Sequence, residues 1–155
     1  EDFDSYQNAL VVIKTNEITY GRQLLGAALF FVPRSLWKNK PVGSGNYLAE
    51  KNNYEWSNIG LSYFGEGFIN LGYFGVVLFS LALSYVSAKL DCLYWSFENN
   101  TSLFFDVFYL LMLGILFFLL RGDLLNTFAY AVGVGLCVKF LFSLLKFTKI
   151  ITLFK

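Results

Sequence analysis

The chain of 155 residues is 56% apolar and 20% aromatic but only 15% charged, whereas water-soluble domains carry roughly a quarter charged residues. With 12 Lys and Arg against 11 Asp and Glu, the net charge of +1 provides no basic field for nucleic acid. Histidine is absent, which removes the commonest general base and zinc ligand and every Ser-His or Cys-His catalytic arrangement. Cys92 and Cys137 make no CxxC pair and read as free thiols buried in apolar runs.

In chain order, Phe3, Tyr6, Leu10 and Ile13 recur at helical spacing with Asp4, Gln7, Asn8 and Lys14 between them. This predicts a short amphipathic helix lying on a membrane surface or on a helical bundle. The apolar run Gln23–Pro33 is too short to span a bilayer and reads as a re-entrant or interfacial segment that Pro33 ends. Arg34, Trp37, Lys38 and Lys40 follow around prolines and glycines, as a rigid cationic loop that continues into a polar stretch up to Ser57. Such a loop suits interfacial anchoring or anion binding. Gly43-Ser44-Gly45 lacks the strand and helix context of a phosphate loop. Glu66 stands at the mouth of the next apolar run, with Asn70, Gly72 and Gly75 behind it, where small residues favour close helix packing.

Three runs are long and apolar enough to cross a hydrocarbon core of about 30 Å: residues 67–88, 103–120 and 124–145. Asp106 interrupts the second and receives no role, and Lys139 in the third is read as snorkelling toward a headgroup layer. Asn99-Asn100-Thr101 matches a glycosylation sequon by chance. Lys139, Lys146, Lys149 and Lys155 place the carboxyl terminus in the cytoplasm. Residues 1–66 and the Arg121-Gly122-Asp123 turn then lie outside, and residues 67–155 form the transmembrane portion. Arg22, Arg34 and Arg121 are expected to converge on that outer face, where arginine near lipid is costly unless paired or functional. Arg121 and Asp123 admit two readings, a mutual ion pair or part of an anion site. Glu66 likewise reads as a partner for an arginine, as a proton acceptor or as a packing element. The expected architecture is an all-α, multi-pass integral membrane protein, and the absence of an initiator Met or signal peptide marks it as the carboxyl-terminal portion of a longer chain.

Phe30-Phe31-Val32-Pro33-Arg34-Ser35-Leu36-Trp37 followed by Lys40-Pro41 resembles the outer-loop signature of bacterial oligosaccharide repeat unit polymerases, the O-antigen polymerase (Wzy-type) family. Phe3-Asp4, Tyr20-Gly21, Gly65-Glu66 with Asn70, Gly72 and Gly75, and Arg121-Gly122-Asp123 match in the same order, so the resemblance covers about residues 3–135. Members of the family are longer, with about ten or more spans.

The resemblance implies an inner-membrane glycosyltransferase that joins undecaprenyl-pyrophosphate-linked repeat units on the periplasmic side, with no metal or other cofactor. It also implies a lipid bilayer environment, a chain-length regulator and a flippase as partners, and no nucleic acid. On this reading Arg34 and Arg121 stabilise the leaving pyrophosphate, and Glu66 or Asp123 activates the acceptor or holds an arginine. Arg22, Lys38, Lys40 and Trp37 bind substrate, while Trp37, Trp56 and Tyr63 either stack on sugars or anchor in the interface. A polysaccharide ligase is disfavoured by the missing histidine. A transporter or flippase is disfavoured because charge gathers at one face instead of along a midplane path. Without its other spans this portion is expected to aggregate.

Overall fold

A computed structural model describes residues 4–96 and 103–147. Its described residues form six helices and no strand: α1 (Asp4–Lys14), α2 (Arg22–Ala28), α3 (Ser44–Lys51), α4 (Tyr63–Ser96), α5 (Leu103–Arg121) and α6 (Leu124–Phe147). The last three are long and apolar enough to cross a membrane. The sequon at 99–101 and the tail lysines Lys149 and Lys155 lie outside the described residues.

α4 is not one rod. At Leu71 and Gly72 the backbone leaves helical geometry, and Gly72 has φ 64° and ψ −151°, a conformation that glycine adopts without strain. The chain folds back there: the Tyr63 and Phe79 rings stand 5.1 Å apart, and the Tyr63 hydroxyl donates to the Phe79 carbonyl. Gly67 and Gly75 meet so closely that a Cβ on Gly75 would lie 1.9 Å from the Gly67 carbonyl oxygen. Residues 63–70 thus form a short re-entrant arm on the long arm 73–96, and the uncharged run 67–88 is divided between them. The break strips the Ile69 and Asn70 carbonyls of intrahelical donors. Thr19 N–H and Oγ bond to Ile69, and Gly21 N–H bonds to Asn70. These bonds matter because an unsatisfied backbone group away from water costs several kcal/mol, by the order of magnitude that applies in lipid.

The re-entrant arm sits at the centre of the packed end of the molecule. Phe68 and Ile69 cluster with Ala9, Val12, Leu48 and Leu61, each large side chain contributing roughly 1.5–3 kcal/mol over exposure to water. α1 enters this cluster through Asn8, Ala9 and Val12, while Tyr6, Leu10 and Ile13 are exposed. The expected apolar face therefore points outward, because close approach to the arm selects small residues over the larger stripe. Asn8 completes the contact by donating to the Gly60 carbonyl at 2.8 Å.

Three further expectations change. α2 ends at Ala28, five residues before Pro33, and residues 29–37 turn through successive short-range hydrogen bonds. The polar stretch after Gly43 contains α3, whose Leu48 and Ala49 are buried. Cys92 and Cys137 are free, as expected, but exposed on their helices instead of buried. Lys139 is exposed, and Asp106 is half-buried. α5 packs along α6 and against α4, and its other faces carry exposed Leu and Phe suited to lipid or to neighbouring helices.

Candidate functional site

The start of α6 is where distant parts of the chain meet. Glu66, 1% exposed, reaches it from the re-entrant arm. One carboxylate oxygen accepts the Ser44 hydroxyl at 2.7 Å and the other accepts the Leu124 N–H at 3.1 Å. Asp123 caps the same helix by accepting the Leu125 N–H at 2.9 Å, and it also accepts the Ser44 N–H. An Asp at this position relieves an orphan amide and faces the positive end of the helix dipole. Burial nevertheless holds the Asp123 carboxyl above the ordinary aspartate range, against the lowering effect of the two amides.

Ser44 joins the two carboxylates because glycines flank it. A Cβ on Gly43 would lie 1.7 Å from an Asp123 carboxylate oxygen, and one on Gly45 would lie 1.8 Å from the Ile59 carbonyl oxygen. The Gly-Ser-Gly run is a close-approach element. The sequence held that signal, but without the fold nothing said what approached it.

Asp123 lines a cavity of about 500 Å³ together with Asn46, Asn58, Asn126, Thr127 and Tyr130. A second cavity of about 1000 Å³, holding Arg121, Trp56, Glu55 and Asp4, adjoins it across Asn58, Ile59, Gly60, Phe118 and Gly122. Together they make one cleft between residues 55–60 and the α5–α6 turn. A third, apolar crevice of about 310 Å³ runs among α4, α5 and α6 and shares Ile115 and Thr127 with the first cavity. Asn46, Asn58, Asn126 and Tyr130 were not singled out in the sequence, where isolated amides carry no pattern.

The cationic loop lies at another cavity. The Lys40 ammonium donates to the Phe30 and Val32 carbonyls at 2.6 and 2.9 Å, and Arg34 and Arg22 approach the Lys40 and Asn39 carbonyls at 3.4 and 3.5 Å. Pro41 returns the loop to α2, which needs Gly26 there: a Cβ would meet the proline ring at 2.5 Å. Arg22 and Lys40 line a space of about 480 Å³ beside Tyr47 and Glu50. Lys38 is exposed and Trp37 half-buried. The structure thus brings Arg22, Arg34 and Lys40 together, and places Arg121 with Asp123 at the separate cleft. Tyr63 is buried in the α4 fold-back, whereas Trp56 is 75% exposed in the cleft. Among the described residues no cluster of His, Cys, Asp or Glu is arranged to hold a metal ion.

Membrane-length helices that keep a charged, amide-lined cleft at one end define a multi-pass membrane protein. The family model for O-antigen polysaccharide polymerase Wzy matches residues 12–150, and the chain belongs to that family. No curated protein and no solved structure matches it. Family membership makes its role, broadly, that of an O-antigen polymerase, acting by glycosyl transfer on lipid-linked oligosaccharide in a membrane.

Proposed function

We propose that this chain carries the polymerising cleft of a glycosyltransferase that joins undecaprenyl-pyrophosphate-linked repeat units at the periplasmic face of the bacterial inner membrane. The observation that carries the reading is the adjacency of Arg121 and Asp123 in one cleft at the α5–α6 turn. In the reaction, an acceptor hydroxyl attacks the anomeric carbon of the donor glycan. A carbon–oxygen bond forms, the bond from that carbon to the diphosphate oxygen breaks, and the diphosphate leaves with the electron pair. The hydroxyl proton passes to Asp123, whose raised pKa makes it a stronger base than an ordinary aspartate. Arg121 faces the charge that grows on the leaving diphosphate, and its planar guanidinium binds such oxygens in pairs.

Glu66, with both oxygens engaged and almost no exposure, holds the re-entrant arm, Ser44 and the α6 start in register. Both substrates are lipid diphosphates on this reading, so two cationic centres are required. Arg22, Arg34 and Lys40, with Lys38 and Trp37 at the rim, serve the second one. The apolar crevice among α4, α5 and α6 offers a surface for a polyprenyl chain.

The test is the surface-glycan profile of cells lacking the gene and complemented with the full-length protein. Asp123→Asn at normal membrane abundance should leave single-unit glycan in place of a ladder. A normal ladder would remove Asp123 from the chemistry.

A further inference from the structure

The two cavities of the cleft differ in what they can bind. The larger carries Arg121 together with the carboxylates of Asp4 and Glu55, so charge of both signs lines it. In the smaller, Asp123 is the one charged group among the lining residues, with no lysine or arginine. Two of the backbone donors that would otherwise make the α6 start an anion site are engaged, Leu124 N–H by Glu66 and Leu125 N–H by the Asp123 carboxylate. Besides the hydroxyls of Tyr130 and of Thr127, which donates to the Phe118 carbonyl, the lining offers the exposed amides of Asn46, Asn58 and Asn126. Each offers donors and an acceptor together, the complement of hydroxyl and acetamido groups. Tyr130, 73% exposed, adds a flat apolar wall. The volume of about 500 Å³ falls within the range of small-ligand pockets.

We infer that the smaller cavity is the acceptor subsite and takes an uncharged sugar, a neutral hexose or N-acetylhexosamine, not a hexuronate. The inference deepens the polymerase reading and rests on it. A hexuronate would bring a second carboxylate beside Asp123 with no cation in the lining to compensate, and like charges at short range repel strongly where water is sparse. An uncharged sugar satisfies the amides and leaves its attacking hydroxyl near Asp123.

The experiment compares the glycan of cells lacking the gene with that of cells complemented by the full-length protein. Linkage analysis of single units and polymer identifies the sugar whose hydroxyl becomes substituted on polymerisation. That sugar should be uncharged, and Asn58→Asp and Asn126→Asp should each reduce polymer at least tenfold at unchanged membrane abundance, with Asn126→Gln retaining most of it. A substituted hexuronate overturns the inference while leaving the polymerase reading intact. Unchanged ladders in both aspartate variants also overturn it, by removing the cavity from acceptor binding. A ladder that persists without the gene overturns the polymerase reading itself, and the inference falls with it.

Discussion

Ser44 donates its hydroxyl to Glu66 and its backbone N–H to Asp123, so one small residue ties the re-entrant arm to the start of α6. Glu66→Gln retains an acceptor for Leu124 N–H and a donor for the Ser44 oxygen, and should fold normally. Glu66→Ala leaves Ser44 and Leu124 without their partner in a buried setting, at a cost of about 1–3 kcal/mol. Thermal unfolding of the full-length protein in detergent reads the difference. Equal stability of the two variants would contradict the structural role given to Glu66.

The fold-back in α4 depends on Gly72. Gly72→Ala forces a side chain into a conformation open essentially to glycine, and its Cβ would also stand 3.2 Å from Ile18. The expected loss is about 1–3 kcal/mol, the usual cost of such backbone strain. Gly114→Ala is the matched control, since it lies within α5 with nothing within 4 Å of the added carbon. There alanine should be neutral or stabilising by up to about 1 kcal/mol. Unfolding midpoints of the two variants measure the contrast.

Asp123 gives the polymerisation rate a pH dependence. Its carboxyl is raised by burial, and its base form is the active one, so the rate should fall as pH drops through that raised value, above the pH expected of an ordinary aspartate. The stability effect has the opposite sense. A carboxyl raised on folding favours the folded state most when protonated, and that contribution declines as pH rises from the unfolded to the folded pKa. Asp123→Asn keeps an oxygen to cap the helix and should abolish the activity, while its amide nitrogen replaces one acceptor oxygen, so its melting temperature is read alongside. A rate profile for reconstituted full-length protein tests this, and an unshifted acid limb would contradict it.

A second pH effect arises away from the cleft. The Lys51 hydrogen bond, then that of Tyr47, hold Glu17 below its ordinary pKa, tying the α1–α2 connector to α3. A depressed carboxyl stabilises the fold above its unfolded pKa, and the contribution disappears as pH falls through the lowered value. Glu17→Gln should therefore melt below the unaltered protein at neutral pH and converge with it in acid. Parallel melting curves across that range would contradict the latch.

The all-α class and the bounds of α5 and α6 could be read from the sequence because two long, predominantly apolar runs meet at the Arg121-Gly122-Asp123 turn. The α4 fold-back was hidden: Gly72 stands in an uncharged run long enough to span, and only the fold shows that Tyr63 returns to Phe79. Which face of α1 packs inward also depends on the fold, since it is set by the close neighbour the helix must approach. Glu66 and Asp123 were visible as charges at span ends, but their link through Ser44 joins segments far apart in the chain. Asn46, Asn58 and Asn126 acquire meaning only from the cavity that gathers them.

The most direct test of the central claim is the surface-glycan length distribution with Arg121→Lys in the full-length protein, beside Arg34→Lys and with membrane levels matched. Arg121→Lys should lower polymerisation by about 10²–10³, the usual loss on removing a transition-state donor, and leave mainly single units. Arg34→Lys, at the separate cationic loop, should shorten the ladder less. A full ladder with Arg121→Lys would contradict the assignment of the cleft.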